Sequence, residues 1–97
     1  MATIGSFTLV DGAMVGRLTT LTIDTDVRFE PVTDRVAAGV PDFRLFRGSS
    51  ELGAAWAKLN KAGRRFYVVA LDDPSFARPI EARLVRNGDG FTLIWSR

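Results

Sequence analysis

The sequence predicts an all-β domain, a small antiparallel barrel or sandwich of about six to eight short strands built from hairpins. Three observations point there. Apolar and polar residues alternate with period two along much of the chain, as they do in strands with one face toward a core. Glycine-bearing bends, Asp11-Gly12 and Asn87-Gly88-Asp89-Gly90, separate the runs. The Thr-rich run LTTLTI favours strand, because β-branched side chains suit a pleated surface. At 97 residues the chain makes one domain with a modest core, and it holds no internal repeat, linker or low-complexity tract.

Residues 4–10 and 13–23 read as the first hairpin, around the type I′ pair Asp11-Gly12. Phe7 and Leu9 share one face, and Ile4, Thr8 and Val10 the other. After the turn, Val15, Arg17, Thr19, Leu21 and Ile23 alternate with Gly16, Leu18, Thr20 and Thr22. Residues 27–32 form a short third strand, with Val27 and Phe29 opposed to Arg28 and Glu30. Pro31 cannot donate to a ladder and marks an edge or an end. A surface loop is expected over 33–41. In the next segment Phe43 and Leu45 alternate with Arg44 and Phe46. RRFYVVAL, residues 64–71, is apolar on both faces, the pattern of a central strand. Residues 72–79 read as a loop. Residues 80–86 and 91–97 form a last hairpin, with Phe91, Leu93 and Trp95 on one face.

The segment ELGAAWAKLNKAG, residues 51–63, fits two templates. Leu52, Ala55, Trp56 and Leu59 at i, i+3, i+4 and i+7 suit a helix, with Ser50 as its cap and Gly63 at its end. The alternative fold is accordingly α+β, with one helix at 51–61. The strand template sets Leu52, Ala54, Trp56 and Lys58 against Gly53, Ala55, Ala57 and Leu59, with 60–64 as a hairpin loop. Gly53 costs a helix about 1 kcal/mol relative to Ala. On periodicity alone the helix holds a narrow advantage.

The opening MATIGSFT, the pieces GAAW (53–56), LDDPSF (71–76) and PI (79–80), and the closing LIWSR (93–97) resemble a bacterial family, domain of unknown function seven-three-six. The match spans nearly the whole chain. Relatives carry Thr, Ser and Arg at the positions of Leu59, Asn60 and Lys61, poor helix material, so the resemblance implies a hairpin over 51–72. It also implies a link to plasmid or conjugative-element maintenance, since such genes often neighbour the family's.

The composition narrows the chemistry. The chain has no His and no Cys, so it lacks the commonest general base, the thiol nucleophile and the usual zinc and haem ligands. No glycine-rich phosphate loop is present. Asp72-Asp73-Pro74-Ser75 reads as a turn, because consecutive carboxylates leaving a strand diverge and Asp side chains bond nearby backbone N–H groups. Asp24 and Asp26 read as a solvated connection and lack the further oxygen ligands a cation needs. Neither an enzyme, nor a metal, nor a cofactor is expected. The N-terminus has no basic region ahead of its apolar part, and no apolar run approaches a membrane span, so a cytoplasmic location is expected.

Thirteen basic residues against eleven acidic ones leave a net charge of only +2, so a local patch decides more than the total. Lys58, Lys61, Arg64 and Arg65 would gather at one hairpin tip. With Arg44, Arg47 and the ring of Tyr67 they form the candidate site for single-stranded nucleic acid, in which aromatic platforms stack bases and Arg grips phosphates. Trp56, Trp95, Arg83 and Arg86 fit the same scheme. The competing reading makes the Trp residues packing and the Arg residues, alternating with Glu30, Glu51 and Glu81, a solvated sheet face. Two function classes stand nearly level: a non-catalytic nucleic-acid-binding accessory protein, and a protein-interaction or structural module that dimerises through a sheet edge.

Overall fold

The structure, a computed structural model, describes residues 2–33 and 39–95. Its strands are β1 (Ala2–Val10), β2 (Ala13–Thr19), β3 (Asp24–Pro31), β4 (Phe43–Arg47), β5 (Ser50–Leu59), β6 (Arg65–Leu71), β7 (Ile80–Asn87) and β8 (Gly90–Trp95). Each strand pairs antiparallel with the next, and β8 pairs back onto β1, from Ala2 opposite Trp95 to Thr8 opposite Gly90. The sheet is therefore a closed up-and-down barrel rather than a sandwich. Among the described residues, closure gives every strand a hydrogen-bonded neighbour on each side, so the sheet has no free edge strand.

The helix alternative at 51–61 is overturned. Those residues lie in β5 and the turn after it. Ala55 is fully buried between Phe43 on β4 and Val69 on β6, so the small residues that read as helix formers serve as the thin wall against bulky neighbours. Tertiary packing outweighs a propensity difference of under 1 kcal/mol per residue. A register shift between Leu45 and Phe46 also turns Leu52 toward the core, away from the face it shares with Trp56 in a regular strand.

The turns follow their residues. Asp11 and Gly12 both take positive φ, 50° and 85°, as a type I′ pair requires. The first hairpin is shorter than its pattern, however. β2 stops at Thr19, because the Thr20 N–H donates to the Ile23 carbonyl and Thr20 Oγ1 accepts from the N–H groups of Thr22 and Ile23. Thr20 to Ile23 thus form a tight bend with Leu21 fully exposed, and β3 starts at Asp24, earlier than Val27. Leu9, on the same face as Phe7, reaches past the packed interior and is exposed. Of the loop expected over 33–41, residues 34–38 lie outside the described residues, as do 96 and 97 of the last hairpin. Asp42 closes the ends of that loop: its carbonyl accepts from Val32 N–H, its N–H donates to Ala55, and its carboxylate accepts from Ala57 N–H at 2.7 Å.

All eight strands supply the interior. Phe7, Met14, Leu18, Val27, Phe29, Leu45, Ala55, Val69, Leu71, Ala82, Leu84 and Leu93 are its buried hydrophobics among the described residues. An eight-stranded barrel is just wide enough for side chains to fill it, and here they do. An edge-to-face chain of rings, Phe7–Phe29–Phe43–Tyr67–Phe91, runs through the core with centroids 4.9 to 6.5 Å apart.

Such a narrow barrel bends its strands sharply, and glycine occupies the closest approaches. A Cβ on Gly16 would lie 1.9 Å from the Ser6 carbonyl oxygen, and one on Gly53 would lie 1.8 Å from that of Ala70. Both obstacles are backbone, which cannot swing aside. Gly53→Ala is expected to lose roughly 1–3 kcal/mol, the range for overpacked sites. The measurement is urea unfolding, in which the midpoint falls while the slope stays constant.

Candidate nucleic-acid interface

Four of the candidate residues share one hairpin. Lys58 lies near the end of β5, Lys61 and Arg64 in the turn, and Arg65 at the first position of β6. Asn60 organises the turn. Its N–H donates to the Arg64 carbonyl, its carbonyl accepts from Gly63 N–H, and its Oδ1 accepts from the N–H groups of Ala62 and Arg64, each at 2.9 Å. Gly63 completes the bend at φ 80°. All four cations are exposed, and among the described residues none has an ion-pair partner.

The outer face of the barrel continues this patch. Phe66 lies opposite Lys58, Val68 opposite Trp56, and Arg83 on β7 opposite Val68. Val69 and Leu71 fill the interior, so the alternate residues Phe66, Val68 and Ala70 face outward and stay half-buried. This corrects the central-strand reading of RRFYVVAL: among the described residues no second layer lies outside β6 to bury its other apolar face fully. The Arg83 guanidinium lies over the Phe66 ring, 5.4 Å from its centroid, a contact worth about 0.5–1 kcal/mol at an exposed site. Arg83 makes no ion pair with a described residue. Trp56, also outward, donates its indole N–H to the Gly39 carbonyl at 2.9 Å and is tied to the β3–β4 loop.

The remaining candidates do not join this patch. Arg44 and Arg47 lie on β4, away from that hairpin. Arg44 pairs with Glu51 at 3.5 Å, Arg28 with Glu30 at 2.8 Å, and Arg17 with both Asp24 at 2.6 Å and Asp26 at 3.1 Å, while Arg47 donates to Thr25 Oγ1. Asp24 and Asp26 are thus partners of Arg17. Tyr67 faces inward, 5.3 Å from Phe43 and 6.5 Å from Phe91 in the core ring chain, and offers no platform to a base. Trp95 is half-buried and, with Phe76, Arg78, Pro79, Ile80 and Glu81, lines an open depression of about 620 Å³. Arg86 lies over Phe91 and donates to the Gly88 carbonyl.

The residue that sequence reasoning missed is Phe66. Its signal was present, because counting back in steps of two from Leu71 and Val69 puts Tyr67 inside and Phe66 outside. The obstacle was that both positions of that pair are aromatic.

The Asp72–Ser75 turn forms as its residues dictate. The Asp73 carboxylate accepts from both the N–H and the hydroxyl of Ser75. Those bonds, the hydroxyl's foremost, hold Asp73 below the ordinary carboxylate pKa, and the hydrogen bond from Arg17 does the same for Asp24. A carboxyl with a lowered folded pKa stabilises the fold fully above its unfolded value, about 3.9, and loses that contribution as pH falls through the folded value. Melting temperature is therefore expected to fall on acidification below about pH 4. Ser75→Ala should flatten that decline, because the stronger of the two causes of the Asp73 shift is gone. Thermal denaturation followed by circular dichroism from pH 2 to 7 checks it.

A family model described as "Protein of unknown function (DUF736)" matches residues 3–97. No curated protein and no solved structure matches the chain.

Proposed function

The chain belongs to the DUF736 family, and on that premise we propose that this small β-barrel is a non-catalytic nucleic-acid-binding accessory protein that grips the phosphate backbone through its β5–β6 hairpin. One observation carries the reading. Lys58, Lys61, Arg64 and Arg65 share a hydrogen-bonded hairpin without an acidic partner among the described residues, whereas Arg17, Arg28 and Arg44 of β2–β4 are paired with carboxylates. A polyanion neutralised by uncompensated cations releases its own counterions without first breaking ion pairs in the protein. The cytoplasm is the proposed location, and plasmid or conjugative-element maintenance, which the family resemblance implies, is the proposed setting.

A second reading draws on the half-buried outward residues Trp56, Phe66, Val68 and Ala70, which suit a protein partner or a second copy. Light scattering tests it: a stable assembly at micromolar protein supports it, and a strict monomer removes the second copy. The basic rim disfavours face-to-face pairing of two identical patches, because like charges would meet across the interface.

Fluorescence anisotropy with a labelled oligothymidylate tests the nucleic-acid reading. Binding at micromolar protein in low salt is expected, with log K falling against log salt at a slope of about −3, as four phosphate contacts on a single strand imply. Reversing the charge of two hairpin residues, Lys58→Glu with Arg64→Glu, should weaken binding at least tenfold, whereas Arg44→Glu should leave it within twofold. No binding in low salt would refute the reading.

A further inference from the structure

The geometry points to Phe66 and Arg83 as a stacking site for an unpaired nucleobase, which makes the ligand of the basic hairpin a single strand rather than a duplex. The inference rests on the nucleic-acid reading above and adds the chemical class that the hairpin alone does not specify, since phosphates are common to both.

Three outward ring positions compete for such a role, and their surroundings separate them. Phe46 also lies beneath an arginine, Arg28, at 5.3 Å, but Arg28 is held by Glu30 at 2.8 Å. A strand laid there would bring its phosphates against carboxylates. Trp56 has its indole N–H engaged by the Gly39 carbonyl, so the adjoining loop restrains the ring. Phe66 differs from both. It is half-buried, it lies directly opposite Lys58, and the cation above it makes no ion pair with a described residue.

The Arg83 guanidinium already lies over the Phe66 ring, so a base stacks on its outer planar face and extends the ring–guanidinium stack. The strand leaving that base passes Lys58 on the same outer face and reaches Lys61 and Arg64 at the turn. Charge complementarity selects this occupant over a second copy of the chain, whose own cations would repel. In a duplex the bases are stacked inside and offer no free face, so the site discriminates by accessibility rather than by sequence.

The test compares, by anisotropy at fixed low salt, a normal single-stranded oligonucleotide, an abasic strand of the same length and charge, and a duplex. The wild-type barrel should bind the normal strand at least about fivefold tighter than the abasic one, the low end for stacking one base on an aromatic ring. Phe66→Leu keeps the half-buried apolar surface and should remove that preference while leaving affinity for the abasic strand unchanged. A cooperative thermal transition in circular dichroism confirms that the variant is folded, and Arg83→Gln, which removes the guanidinium while leaving the barrel interior intact, should reduce the preference independently. Equal affinity of the wild type for normal and abasic strands overturns the stacking site while leaving phosphate binding intact. Tighter binding to the duplex also overturns it. Failure to bind any of the three overturns both readings.

Discussion

The pairing of β8 onto β1 is the constraint on which the rest of the structure depends. It makes one sheet its own partner. Every strand then has one face in a narrow interior and the other toward solvent, and no free edge strand remains among the described residues. The interior must be filled by side chains from all directions at once, which explains why Phe7, Phe29, Leu45, Leu84 and Leu93, from five different strands, meet in one cluster. It also explains the glycines: at Gly16 and Gly53 the neighbouring backbone is so close that a methyl group would overlap a carbonyl oxygen.

Closure has a second consequence. A single-layered barrel has no outer helices or second sheet, so any apolar residue of outward parity stays at the surface. Most strands meet this with polar residues, as in β3, where Asp24, Asp26, Arg28 and Glu30 alternate with Val27 and Phe29. β6 does not. Its outward Phe66, Val68 and Ala70 form a half-buried surface beside Lys58 and Arg83, and that surface adjoins the hairpin whose cations have no acidic partner among the described residues. The functional reading grows from this coincidence of apolar surface and uncompensated charge. The net charge of +2 conceals it, because the carboxylates that pair with Arg17, Arg28 and Arg44 lower the sum without lying near the hairpin.

Much of the barrel was legible in the residues. The Asp11-Gly12 turn, the alternation of Val27 and Phe29, the inward Phe43 and Leu45, the loop at 72–79 and the last hairpin follow from local rules of φ preference and period-two burial. So did the gathering of Lys58, Lys61, Arg64 and Arg65, since a short hairpin brings neighbours in sequence together. Residues whose placement depends on distant strands were less legible. Arg44 and Arg47 looked like members of the basic patch until their partners, Glu51 and Thr25, came from other strands. Tyr67 looked like an exposed platform until the inward parity of Val69 and Leu71 assigned it to the core ring chain.

By itself, then, the sequence determined most strands outside 51–61, the Asp11-Gly12 and Asn87–Gly90 turns, the absence of imidazole and thiol chemistry and the nearness of four cations over 58–65, because each depends on residue type or on neighbours a few positions away. Tertiary structure alone decided that the sheet closes, that 51–61 is a strand and not a helix, which aromatic of β6 faces outward and which cations are neutralised. Those outcomes turn on contacts between strands far apart in the chain. The physical reason is that Ala55 gains more from lying between Phe43 and Val69 than it would from helical propensity, and no pattern within residues 51–63 contains that information.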